Sequence, residues 1–97
     1  MSLENEFAAD LELSLSIALK EHKIKFPTLR RMIDEHGYVQ TAKRLLKTAS
    51  SSDGFVKLLD IGRLDLSIEH LVATPKYQPL FTDPEKAMAK KKLDLKR

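Results

Sequence analysis

Three histidines, one carboxylate-rich corner and a run of cations are the residues of this chain with the means to do chemistry. His22, His36 and His70 are isolated from one another, the chain has no cysteine, and no HExxH-type spacing occurs, so the clustered ligands a metal needs are not expected. Asp60, Asp65 and Glu69 flank Gly62 and Arg63 and could gather there for acid–base work or for Mg²⁺. The simpler expectation for them is a helix cap, a solvated face and a partner for Arg63. Serines occur without a Gly-x-Ser-x-Gly elbow, and three glycines make no phosphate-binding loop. The chain is therefore expected to be no enzyme, to need no cofactor and no metal, and to take no small-molecule substrate. A helical chain of 97 residues also has little room for a concave pocket.

Cations offer a second chemistry. Arg30, Arg31, Lys43, Arg44 and Lys47 could form a surface for phosphates without reading bases, and the C-terminal lysines could extend it. Residues 38–46 look like the first helix of a helix-turn-helix, with the small Ala42 where two helices would touch. The following helix of that motif must show polar side chains to base edges, whereas residues 53–61 are apolar and acidic. Nucleic-acid binding is accordingly the alternative expectation, not the leading one.

The elements that would carry these side chains are read as helices. Residues 53–61 hold Phe55, Val56, Leu58, Leu59 and Ile61 against only Lys57 and Asp60, which predicts a central, mostly buried helix beginning near Ser52. Gly62 ends it as the residue that takes a left-handed turn without a Cβ penalty. Asp65 or Ser67 can cap the next helix, where Leu64, Ile68, Leu71 and Val72 make one apolar stripe and Asp65 and Glu69 share another face.

Residues 3–21 satisfy two periods. Leu11, Leu13, Leu15, Ile17 and Leu19 alternate as in a half-buried strand, while Phe7, Leu11, Leu15, Ala18 and Leu19 make a helical stripe behind a Ser2 cap with Glu4 and Glu6 in the first turn. Helix is preferred, because no second strand is evident to take a lone strand's hydrogen bonds. In a helix Leu13 and Ile17 fall off the main stripe, so the apolar surface wraps more than half of it. A second cover is then required, from the rest of the chain or from another copy of the molecule. Phe7, Leu11, Leu13 and Ile17 are the expected protein interface, with a homodimer as one outcome.

Elsewhere, residues 20–25 read as a polar link and Pro27 opens a helix with Leu29, Met32 and Ile33 on its apolar side, closed by His36 and Gly37. A helix over 38–48 turns Val39, Ala42, Leu45, Leu46 and Ala49 inward and Gln40, Lys43, Arg44 and Lys47 outward. Thr74 and Pro75 stop the Ser67 helix, and Tyr77, Leu80 and Phe81 form a short apolar lid or single helical turn. Thr82 with Glu85 is a capping box, the most specific local signal in the chain. It opens a helix over 83–95 with Ala87, Met88, Leu93 and Leu95 apolar among Lys86, Lys90, Lys91 and Lys92, and residues 96–97 as a frayed tail.

Together these predict an all-α fold, one compact domain over 1–97 built from five or six short helices. With 42% hydrophobic residues it should bury roughly 60–65% of its unfolded surface, enough for one modest core. Charge is segregated: residues 1–21 carry one base and five acids, 22–50 seven and two, 51–83 three and five, and 84–97 six and two. Without cysteine, without a basic leader, and without an apolar run near the roughly 18 to 20 residues of a membrane span, a soluble cytoplasmic protein with no membrane partner is expected.

The run Ser52, Asp53, Gly54, Phe55, then Gly62, Arg63, Leu64, Asp65, Leu66, Ser67 and Glu69, then Leu80, Phe81, Thr82 and Glu85, resembles a group of small bacterial proteins of uncharacterised function that share an SDGF…GRLDLS.E…LFT..E pattern. The resemblance covers about residues 39–93. It implies a stand-alone bacterial domain and transfers no catalytic or binding residue. The functional expectation is a non-catalytic helical module that acts by contact with a protein, itself included, with acidic and basic surfaces setting orientation.

Overall fold

The computed structural model describes residues 2–47 and 53–96. In order they form α1 (Leu3–His22), α2 (Pro27–His36), α3 (Tyr38–Leu46), α4 (Asp53–Asp60), a 3-10 turn (Leu64–Leu66), α5 (Ile68–Ala73), a second 3-10 segment (Pro75–Leu80) and α6 (Asp83–Lys96). No strand occurs among the described residues, so the fold is all-α as the periodicities predict. No helix among them is long and apolar enough to cross a membrane.

The chain is organised around α1. Its Ser2 hydroxyl accepts the Asn5 N–H at 3.1 Å, and Glu4 and Glu6 stand at the positive end of the dipole. Phe7, Leu11, Ser14, Leu15 and Ala18, spaced by four, three, one and three, are its buried stripe. Phe7 is fully enclosed and meets Tyr77 and Phe81 edge-on, with ring centroids 5.2 and 5.5 Å away. The Tyr77 hydroxyl donates to Asp10 on the same helix, so the second 3-10 segment is tied to α1 by rings and by a hydrogen bond.

Around Phe7 the main core gathers Leu11, Leu15, Ile33, Ala42, Leu46, Ile68, Val72 and Ala89. A smaller cluster of Ala18, Leu58 and Leu66 joins the last turns of α1 to α4 and the 3-10 turn. Two glycines set corners by positive φ. Gly37 (φ 85°) donates to the Ile33 carbonyl at 2.8 Å and accepts from Thr41 N–H at 3.1 Å, closing α2 and opening α3 with one residue. Gly62 (φ 71°) turns the chain after α4, and the Arg63 N–H returns to the Leu58 carbonyl at 2.8 Å.

Several expectations are corrected. The 53–61 segment is not the buried centre: Phe55 and Leu58 point inward, but Val56 and Ile61 are 41% and 38% exposed. The eight residues of α4 turn Phe55 and Leu58 inward. Residues 20–22 belong to α1, which ends where Lys23 takes the left-handed conformation at φ 57°. Beyond it Ile24 packs on the Leu58 cluster, so the link is not wholly polar. In α3 the inward set includes Thr41, which is fully buried beside Ala42. Ala49 and the proposed cap at Ser52 lie outside the described residues.

The α6 register also differs. Its inward positions are Met88, Ala89, Lys92 and Leu93, while Ala87 is exposed and Lys92 is 4% exposed. The capping box is present as read: Thr82 N–H donates to Glu85 Oε1 at 2.8 Å, and Glu85 N–H to Thr82 Oγ1 at 3.3 Å.

Candidate binding cavity

Between α2 and α4 the helices stand apart. Leu29 and Met32 of α2, with Phe26 and Pro27 before them, form one wall; Gly54, Phe55 and Leu58 of α4 form the other. Leu15 from α1, Leu45 from α3 and Ser67 to Glu69 at the start of α5 close the inner end, leaving a cavity of about 200 Å³. Pro27, Thr28, Asp53 and Lys57 at its rim are exposed, and Leu15, Phe55, Leu58, Ser67, Ile68 and Glu69 within it are buried. Lys57 Nζ donates to the Lys25 carbonyl at 3.3 Å, which ties the α4 rim to the segment before α2.

Two polar residues stand in the buried part. The Ser67 hydroxyl accepts the His70 N–H at 3.1 Å as the α5 cap and donates to the Leu64 carbonyl at 2.7 Å, so its hydrogen is committed. Glu69, 3% exposed, is the only ionisable member of the buried lining among the described residues. Burial pushes its carboxyl above the ordinary glutamate value, against the hydrogen bond from its own backbone N–H and the charge of Lys92. Lys92 donates its Nζ to the carbonyl of the lining residue Leu45 at 3.0 Å.

Its lining is mostly apolar, with Ser67 and Glu69 as the buried polar members. An apolar cavity of roughly 150 Å³ is enough for benzene, so this one has space for a single aromatic or aliphatic group. Its serine is held by backbone partners, and no histidine lines it among the described residues. The carboxylate corner read from the sequence does not assemble. Asp65 pairs outward with Arg63 at 3.1 Å, whose guanidinium keeps it below the usual aspartate range; Asp60 faces solvent; Glu69 points to the interior. His22 lies 3.2 Å from Arg63, and no group of three candidate metal ligands occurs among the described residues.

The five cations are divided. Arg30 is bonded to Glu12, which also accepts from Tyr38 Oη at 2.9 Å; the Arg30 bond holds the Glu12 carboxyl below its ordinary range. Lys43 lies 2.9 Å from Glu85 and 5.4 Å from the centre of the Phe81 ring. Arg31, Arg44 and Lys47 are exposed. The four interface residues are divided as well. Phe7 and Leu11 are enclosed by their own chain at 0% and 1% exposure, Ile17 is half-buried against the smaller cluster, and Leu13 is 59% exposed. Phe7 and Leu11 cannot meet a second copy without unfolding α1 from its core.

Sequence reasoning missed the cavity and its inner end. Asp65 and Glu69, four apart, were placed on one helix face, but Asp65 belongs to the 3-10 turn, so the spacing does not align them. Lys92 reads in the sequence as one of four lysines, with Lys86, Lys90 and Lys91, set among the apolar residues of α6. Its position seven after Glu85 and three after Ala89, both turned inward, is the signal that marks it. Comparison with known proteins adds no identity: no family model, curated protein or solved structure matches the chain.

Proposed function

We propose that this chain is a non-catalytic helical binding module that holds a protein partner by seating one of the partner's side chains in the α2–α4 cavity. The observation that carries this reading is the cavity itself, an apolar space of about 200 Å³ whose inner walls are buried and whose rim is exposed. Protein contacts concentrate their energy in a few large side chains that fill such pockets, and the surrounding rim only excludes water. The resemblance to small bacterial proteins supports a stand-alone domain and adds no site residue.

Blocked single amino acids test it on the full chain. N-acetyl-phenylalanine amide is expected to shift amide resonances of residues 26–32, 54–58 and 67–69, N-acetyl-glycine amide to shift none, and Met32→Trp to abolish the effect by filling the space. Absence of shifts with the phenylalanine compound at its solubility limit would sink the reading.

Self-association through α1 is a narrower second reading, favoured by the exposure of Leu13. It now rests on the outer face of α1 alone. Sizing at high concentration should show a mass that falls when Leu13 becomes Asp; a monomer throughout removes the homodimer. Nucleic-acid binding is not favoured, because Arg30 and Lys43 are already met by Glu12 and Glu85.

A further inference from the structure

Leu13 is 59% exposed near the middle of α1, and the residues on its side of the helix are arranged symmetrically about it. At about 3.6 residues per turn, Glu6, Ala9, Ile17 and Lys20 lie within about 40° of Leu13 around the helix. Glu6 and Lys20 stand seven positions before and after Leu13, about 10.5 Å along the axis, and Ala9 and Ile17 stand four before and after it. Ala9 and Lys20 are exposed, Ile17 is half-buried, and the Glu6 side chain is 38% exposed. Acid is thus matched by base, and a methyl by an isoleucine, at equal distances on either side of one exposed leucine. An isologous contact demands this pattern, because its two-fold axis sets residue i on j and j on i.

We propose that a second copy of this chain covers the outer face of α1, the two helices crossing antiparallel at Leu13, with Ile17 beside the partner's Ala9 and Glu6 paired with the partner's Lys20. This rests on the self-association reading above and fixes its orientation and register. A parallel pair would set Glu6 against Glu6 and Lys20 against Lys20, two like-charge contacts where the antiparallel pair has two attractive ones, and it would align the helix dipoles. Glu6 already lies 3.2 Å from Lys76, but one ammonium does not fill the roughly four acceptor positions of a carboxylate, so a second cation can join. Leu15, which lines the cavity, is turned about 200° from Leu13, so this contact leaves the space between α2 and α4 open. One helix face is a small contact, at the low end of specific interfaces, and the dimer belongs to high protein concentration.

The chain has no cysteine, so a single introduced one carries a nitroxide at a known place. Asn5→Cys keeps the Ser2 cap, which uses the backbone N–H of that position. Spin-labelled chain mixed at high concentration with nitrogen-15 chain is expected to broaden amide resonances of residues 20–23 in the latter, as far beyond Leu13 as position 5 lies before it. Sedimentation equilibrium gives the dissociation constant. Lys20→Glu exchanges two attractive pairs for two repulsive ones and should raise it about tenfold, and Glu6→Lys with Lys20→Glu should return it to within about threefold of wild type. Circular dichroism checks the folding of the charge variants; if either fails to fold, the nitroxide pattern decides. A dimer that does not broaden residues 20–23, or that is indifferent to Lys20→Glu when this variant folds, overturns the antiparallel register and leaves self-association standing. A monomer at every concentration overturns both.

Discussion

Lys92 Nζ donates to the Leu45 carbonyl oxygen at 3.0 Å, joining α6 to the last turn of α3. The bond is made at 4% exposure of Lys92, beside the Glu69 charge. Lys92→Ala removes this donor to the Leu45 carbonyl and the offset to a buried carboxylate. It is expected to cost about 1 to 3 kcal/mol. Lys91→Ala, at an exposed position on the same helix, should stay within about 0.5 kcal/mol. Urea unfolding of both variants checks this, and equal midpoints would contradict the burial of Lys92.

Thr41 offers a gain in place of a loss. Its side chain is fully buried, and its Oγ1 is the one buried side-chain polar atom without a hydrogen-bond partner among the described residues. Valine has nearly the same shape and lacks the hydroxyl. Replacing an unsatisfied group by an apolar one avoids its desolvation, so Thr41→Val should raise stability by about 1 kcal/mol. A lower melting temperature would mean that the hydroxyl has a partner in solution.

Two glutamates should pull the pH profile in opposite directions. Burial raises Glu69, so its neutral form is favoured by folding; that contribution is present below the ordinary glutamate value and is lost as pH rises through the raised one. Burial also pushes on Glu85, but the Thr82 N–H and Lys43 outweigh it and leave its carboxyl lowered. Its contribution is present above the ordinary value and lost as pH falls through the lowered one. Glu69→Gln should therefore stabilise the chain at neutral pH, with the advantage shrinking toward acid. Glu85→Gln should destabilise at neutral pH and flatten the acid decline. Thermal melts between pH 3 and 8 read both signs, and a neutral-pH loss for Glu69→Gln would show that Lys92 attracts more than burial costs.

The contrast between Phe7 and Leu13 tests where α1 faces. Phe7→Ala empties a site enclosed by Tyr77 and Phe81 and should cost about 3 to 5 kcal/mol, much of the total stability of a domain this size. Leu13→Ala, at 59% exposure, should change the monomer's stability by less than about 0.5 kcal/mol. Denaturation midpoints decide; a large loss at Leu13 would mean that a second molecule covers it.

Where the determining interaction is local, the chain could be read directly. Ser2, Ser67 and the Thr82–Glu85 pair mark helix starts because a side chain three positions away completes the cap, and Gly37 and Gly62 mark corners because their conformation is a property of one residue. The α1 stripe from Phe7 to Ala18 was also legible in the apolar spacing, but the same segment fits a strand's alternation, and the want of a partner strand decided for helix. Tertiary packing decided everything that depends on how many neighbours a helix acquires. It left Val56 and Ile61 outside, enclosed Phe7 and Leu11, drew Lys92 inward to a carbonyl 47 positions away, and separated Glu69 from Asp65. The cavity belongs to this second kind, because it is the space two helices fail to fill, and such a gap is a property of their relative placement that no single segment encodes.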